Sequence, residues 1–154
     1  MRLNLKYLVP LIVAVAVVLA WLLWDSPQRA IRGVLDDGEA AVEAKDLVGA
    51  MSHVSRQYLD EYGLNYLGTR RVLGWSFNRF QALDVLLHDV SVDVRGDRAT
   101  ARGKLQVLVR QGDESVSLIG AAGDPDLVTI TLIRERLAWK VTSVNGIDVS
   151  RVGL

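Results

Sequence analysis

Between Tyr7 and Trp24 the chain runs for 18 residues, YLVPLIVAVAVVLAWLLW, without a charged side chain. At about 1.5 Å per residue a helix of that length reaches about 27 Å, close to the hydrocarbon thickness of a bilayer. A helix that is apolar on every side has no face to offer water, so this run is expected to span a membrane. Tyr7 at one end and Trp21 and Trp24 at the other stand where amphipathic rings favour the headgroup level. Arg2 and Lys6 place positive charge on the short N-terminal side, which loop-charge bias makes the cytoplasmic side. Pro10 falls in the first turns, where a missing N–H is tolerated.

A cleaved signal peptide is the competing reading, because Val18-Leu19-Ala20 ends in the small residue that signal peptidase prefers. The apolar run continues through Trp21, Leu22, Leu23 and Trp24, which would put such a cut inside the hydrophobic region, so a retained anchor is expected. The chain has no cysteine, which excludes disulfides, thiolate nucleophiles, cysteine zinc sites and a lipoprotein anchor. From Asp25 onward 16 positive residues face 18 negative ones, and this net charge of −2 argues against a nucleic-acid partner.

Beyond the apolar run about 130 residues remain, the size of one domain. Residues 1–6 read as a cytoplasmic tail, 7–24 as a transmembrane helix, 26–149 as a domain in the periplasm or outside, and 150–154 as a C-terminal tail. The implied location is the cytoplasmic (inner) membrane of a bacterium, crossed once. Ser26 is placed to cap a new helix with Pro27 at its first position. Ile31, Val34, Leu35, Ala41 and Val42 recur there at helical spacing, with Asp36, Asp37, Glu39 and Glu43 assigned to the rest of the cylinder. Asp46 caps a second helix with Val48, Met51, Tyr58, Leu59 and Tyr62 on its apolar face and Gly63 as its left-handed end. A third helix is expected from Arg70 to Leu83, with Val72, Leu73, Phe77 and Phe80 inward.

The period then drops from 3.6 to 2. Leu86, His88, Val90, Val92 and Val94 share one strand face, a tight turn follows at Gly96-Asp97, and Ala99, Ala101, Gly103, Leu105, Val107 and Val109 point inward from the next strand. A short strand near Val116 to Ile119, one through Val128, Ile130 and Leu132, and a last one with Trp139 and Val141 complete an α+β pattern of helices on a curved antiparallel sheet. Three phrases, Ser55-Arg56-Gln57-Tyr58-Leu59-Asp60-Glu61-Tyr62-Gly63, Val92-Asp93-Val94-Arg95-Gly96-Asp97-Arg98-Ala99 and Leu137-Ala138-Trp139-Lys140-Val141-Thr142-Ser143-Val144, resemble the NTF2-like (nuclear transport factor 2-like, SnoaL-like) superfamily. The resemblance implies a cone of about three helices on a curved sheet, found among isomerases, dehydratases, ligand carriers and scaffolds.

Within such a cone Tyr58, Tyr62, Trp75, Phe80 and Trp139 form a candidate pocket wall, and filling of the cone by these rings is the expected outcome. His88 joins them because the alternation puts it on the inner strand face, while His53 is expected to face solvent. Two histidines without an acidic pair at ligand spacing argue against a metal site, and no cofactor motif is present. Asp89 and Asp93 fall on the outer face, away from the place an isomerase would keep its acid, so no catalytic residue is assigned. Arg95-Gly96-Asp97 matches an adhesion tripeptide but answers the need of a two-residue turn. Arg102, Lys104 and Arg110, with Lys140, form a candidate outer-face surface for anionic headgroups or an acidic partner.

The expected function is a single-pass, membrane-anchored accessory or assembly subunit of an envelope complex, without catalysis. Its layout is similar to that of single-pass secretion components and of proteins associated with Mce lipid transporters. The alternatives are a carrier or sensor holding a small apolar ligand or lipid in the cone, and an isomerase- or dehydratase-type enzyme. The expected partners are the bilayer, through Tyr7 to Trp24, and a membrane protein complex; the oligomeric state is not legible.

Overall fold

The computed structural model describes residues 5–23, 26–148 and 150, with the side chains of 10–20 in the first helix. Residues 1–4 and 151–154 of the expected tails, Trp24, Asp25 and Val149, and the side chains of Lys6, Tyr7 and Trp21 lie outside that description. The elements in chain order are α1 (Leu5–Leu23), α2 (Pro27–Glu43), α3 (Leu47–Ser52), α4 (Tyr66–Arg79), β1 (Ala82–Arg95), β2 (Arg98–Gln111), β3 (Glu114–Ile119), β4 (Asp126–Glu135) and β5 (Ala138–Asn145). Among the described residues no helix is long and apolar enough to cross a membrane. α1 itself runs for 19 residues, but its described side chains cover only 10–20, so the span from Tyr7 to Trp24 rests on the sequence.

Capping residues start the helices where local chemistry demands. The Arg29 N–H donates to Ser26 Oγ at 3.3 Å with Pro27 next in line, the Gly49 N–H to Asp46 Oδ1 at 2.9 Å, and the Gly68 N–H to Asn65 Oδ1 at 2.9 Å. Two helix ends differ from expectation. The second helix stops at Ser52, because the backbone beyond it turns to the edge of β5. The Ser55 N–H donates to the Val141 carbonyl at 2.8 Å, the Val141 N–H to the His53 carbonyl at 2.8 Å, and the Leu59 N–H to the Thr142 carbonyl at 2.9 Å. Tyr58, Leu59 and Tyr62 therefore share no helix face, and Val48 is exposed. The third helix begins at Tyr66 and ends at Arg79, where Phe80 turns extended and the Gln81 N–H joins the Arg110 carbonyl at 2.9 Å.

The sheet is antiparallel in the order β1-β2-β4-β5, with β3 also on β2. Residues 98–105 of β2 pair with β4, and 107–111 pair with β3 on the same edge, so the sheet divides and curls around α2. Ile31 of α2 is fully buried against Ala99, Ala101, Ile130, Leu132 and Trp139, while Phe80, Leu83, Val107 and Val109 form a second cluster. α2 also guards β1, with Arg32 Nη2 donating to the Val90 carbonyl at 2.8 Å and the Val85 N–H to Glu43 Oε1 at 3.0 Å.

A bulge in β1 corrects the alternation. His88 pairs with Lys104 and Ser91 with Arg102, so Asp89 and Val90 together oppose Gly103. Asp89 adopts φ 54, in the left-handed region. Such an insertion shifts every later residue by one and exchanges the faces. Leu83 and Leu87 point inward before the bulge, Val90, Val92 and Val94 after it, and His88 is exposed on the outer side. Gly103 is the partner the bulge requires, since a Cβ there would stand 3.0 Å from the His88 carbonyl oxygen.

Candidate functional site

α2, α3 and α4 do not close completely on the curled sheet. Between them lies a cavity of about 220 Å³. Its walls are apolar: Val34, Leu35 and Val42 come from α2, Leu87, Leu105 and Ile130 from the sheet. Among the described residues four bring polar groups to it, namely Glu39, His53, Tyr58 and Thr69.

Each of the four is set by a local device. Glu39 lies one helical turn from Leu35 and close to Val42, the spacing that puts it on the inner stripe of α2. Its carboxyl is pushed above the usual range by burial, then by Glu43 and Asp36, while His88 pulls the other way. His53 caps the end of α3, and the bond its carbonyl takes from Val141 holds it half-buried at the wall. Tyr58 is buried, and its hydroxyl donates to Asp60 Oδ2 at 3.3 Å. Burial first, and the Asp60 charge second, raise this phenol well above its ordinary pKa. Thr69 donates to the Asn65 carbonyl at 3.0 Å within α4.

Of the six residues expected to line a pocket, Tyr58 alone is in this wall. Trp139 is buried in the core cluster around Ile31, and Phe80 in the second cluster, where it meets Trp75 edge to face at 5.9 Å. Trp75 and Tyr62 are each 48% exposed, so these rings do not fill the cone. His88 stands outside for the reason given by the bulge, and His53, expected in solvent, lines the cavity instead. Glu39 was legible in principle, through its i+4 spacing from Leu35. His53 and Thr69 had no such signal, because long-range pairing and the position of α4 place them.

On the outer face Arg102 and Lys104 stand exposed on β2 beside Asp89, which Lys104 Nζ meets at 2.8 Å. That contact holds the Asp89 carboxyl below its usual range. Arg110 lies further along β2, opposite Ala82 and Ser115, and the Lys140 ammonium donates to the Ser52 carbonyl. The four basic residues therefore do not form one row. Among the described residues no group of three or more His, Asp or Glu side chains is placed to hold a metal ion.

Helices on one side of a divided, curled sheet, with a cavity between, define the NTF2-like cone. Solved structures share it. A candidate dehydratase of the NTF2-like family from Streptomyces avermitilis superposes with a TM-score of 0.63 at 16% identity, over 79% of this chain and 95% of that one. A candidate scytalone dehydratase from Novosphingobium aromaticivorans matches with a TM-score of 0.66 at 14% identity, over 76% and 80%. The hexachlorocyclohexane dehydrochlorinase LinA-type3 from Novosphingobium barchaimii matches with a TM-score of 0.59 at 16% identity, over 79% and 86%. At such identities the likeness is one of fold. No family model matches the sequence, and no curated protein matches it.

Proposed function

We infer that this chain is a membrane-anchored module outside the cytoplasm whose cone carries or senses a small, mainly apolar ligand. The cavity carries the reading: an apolar hole of about 150 Å³ is enough to take up benzene, and this one is larger. The anchor draws support from α1, where Leu11, Ile12, Val13, Val15, Val17, Val18 and Leu19 stand 49 to 60% exposed around the helix. So large an apolar surface calls for lipid or a partner. The domain core forms without it, since Ile31, Leu132 and Trp139 bury one another.

The test is to titrate an apolar fluorescent probe into the fragment Ser26 to Leu154 and into its Leu105→Trp variant, which places a larger ring in the cavity wall. Micromolar binding by the first and loss in the second supports the carrier. Equal binding by both removes it. For the anchor, a C-terminal alkaline phosphatase fusion should be active in a bacterial host, and a C-terminal fluorescent protein exported unfolded should stay dark. The reverse pattern would overturn the orientation.

An enzyme is the second reading, favoured by Glu39 and His53 in one cavity, an acid and a base of the kind that isomerase or dehydratase chemistry needs. The accessory-subunit reading rests on the anchor and the charged outer face. Its mark would be a membrane protein that co-purifies in detergent whether or not the cavity is blocked.

A further inference from the structure

Among the described residues Glu39 is the one acidic side chain lining the cavity, and no Lys or Arg lines the same wall. Among the described residues its carboxylate takes part in no hydrogen bond and no ion pair. The basic side chains nearest in sequence are committed elsewhere: Arg32 donates to the Val90 carbonyl at 2.8 Å, and Lys45 Nζ to the Phe80 carbonyl at 2.5 Å. Asp36 and Glu43, on the same helix, add negative potential, and burial already strains the charge. The one positive counterweight acting on Glu39 is His88 from β1, while His53 at the end of α3 lines the same wall. Beside Glu39, Gly38 leaves the wall open, for a Cβ there would meet nothing within 4 Å.

A polarised site follows from this arrangement, with an apolar body to the cavity and, at one side, a half-buried anion that no protein donor meets. We propose that the ligand class of the cone is a small hydrophobic amine, its hydrocarbon body held among Leu35, Leu87, Leu105 and Ile130 and its ammonium set against Glu39. An ammonium supplies both the charge and the N–H donors that no protein group gives Glu39, whereas an alcohol supplies a donor alone and a carboxylate repels. Because partial burial lowers the local dielectric, the attraction exceeds its value in water. The proposal rests on the carrier reading and adds the head group to it.

Cyclohexylamine, cyclohexanol and cyclohexanecarboxylate share one ring, small enough for the cavity, and differ in the head group. Each is titrated by calorimetry into the full chain in lipid nanodiscs, with empty nanodiscs subtracted, and then into Glu39→Gln. Cyclohexylamine is expected to bind about tenfold more tightly than cyclohexanol, with the carboxylate weakest. Glu39→Gln should abolish that advantage and leave cyclohexanol within about twofold, which also shows that the variant's cavity is intact. Cyclohexanol binding as well as the amine to the native chain would overturn the amine and leave the carrier standing. If none of the three binds up to about 10 mM, the carrier reading fails together with it.

Discussion

Ser55, fully buried just past α3, donates its hydroxyl to Glu135 Oε1 at 2.5 Å and so ties two residues 80 apart in sequence. The Ser55 Oγ in turn accepts the Gln57 N–H at 3.0 Å. This pair anchors the segment that leaves the helix and runs along β5, the segment that carries His53 and Tyr58 to the cavity. Ser55→Ala strips a donor from a partly buried carboxylate and an acceptor from a backbone N–H, so a loss of about 1 to 3 kcal/mol is expected in urea unfolding. A change within about 0.5 kcal/mol would mean that other contacts hold the segment.

At the bulge, the backbone of His88 and the side chain of Leu87 crowd Gly103 together. Gly103→Ala would drive a Cβ toward the His88 carbonyl oxygen 3.0 Å away and toward Leu87 Cδ1 at the same distance. The expected cost is about 1 to 3 kcal/mol. Asp89→Gly, which suits φ 54 and loses only an exposed ion pair, should stay within about 1 kcal/mol of the native chain. Thermal melts of the two variants check both, and a harmless Gly103→Ala would contradict the bulge register.

Trp139 is 5% exposed in the cluster with Ile31 and Leu132. Trp139→Ala should cost about 3 to 5 kcal/mol through lost burial and the cavity left behind. Denaturant unfolding measures this, and a loss under about 1 kcal/mol would place the ring outside the core.

Tyr58 gives a pH signature. Its phenol is raised in the folded state, by burial and then by Asp60, so the folded chain keeps this proton after the unfolded chain has begun to lose it. The stabilisation is complete below the unfolded value of about 10 and is lost as the pH climbs toward the folded value. Native protein should therefore lose stability above about pH 10, and Tyr58→Phe should lose less over the same interval. Identical alkaline profiles for the two would show that Tyr58 is not held from water.

How far the sequence reaches is clear from particular residues. The caps at Ser26 and Asp46, the inward row Ala99, Ala101, Val107 and Val109, and the turn at Gly96 with φ 61 all follow from side chains within a few positions of one another. These are local rules of capping, alternation and backbone sterics, and they suffice for the α+β class and most of the strand faces. Tertiary structure decided the rest. The second helix stops at Ser52 because β5, nearly 90 residues later, offers its edge. His88 faces outward because one extra residue opposite Gly103 reverses the alternation. The site followed these two events: with Trp139 and Phe80 drawn into separate clusters and Trp75 left half-exposed, the rings expected to fill the cone could not, and Glu39, His53, Tyr58 and Thr69 met around the space that remained. Hydrogen bonds between distant strands and the curl of the sheet depend on which segments meet, and no periodicity within one segment records that choice.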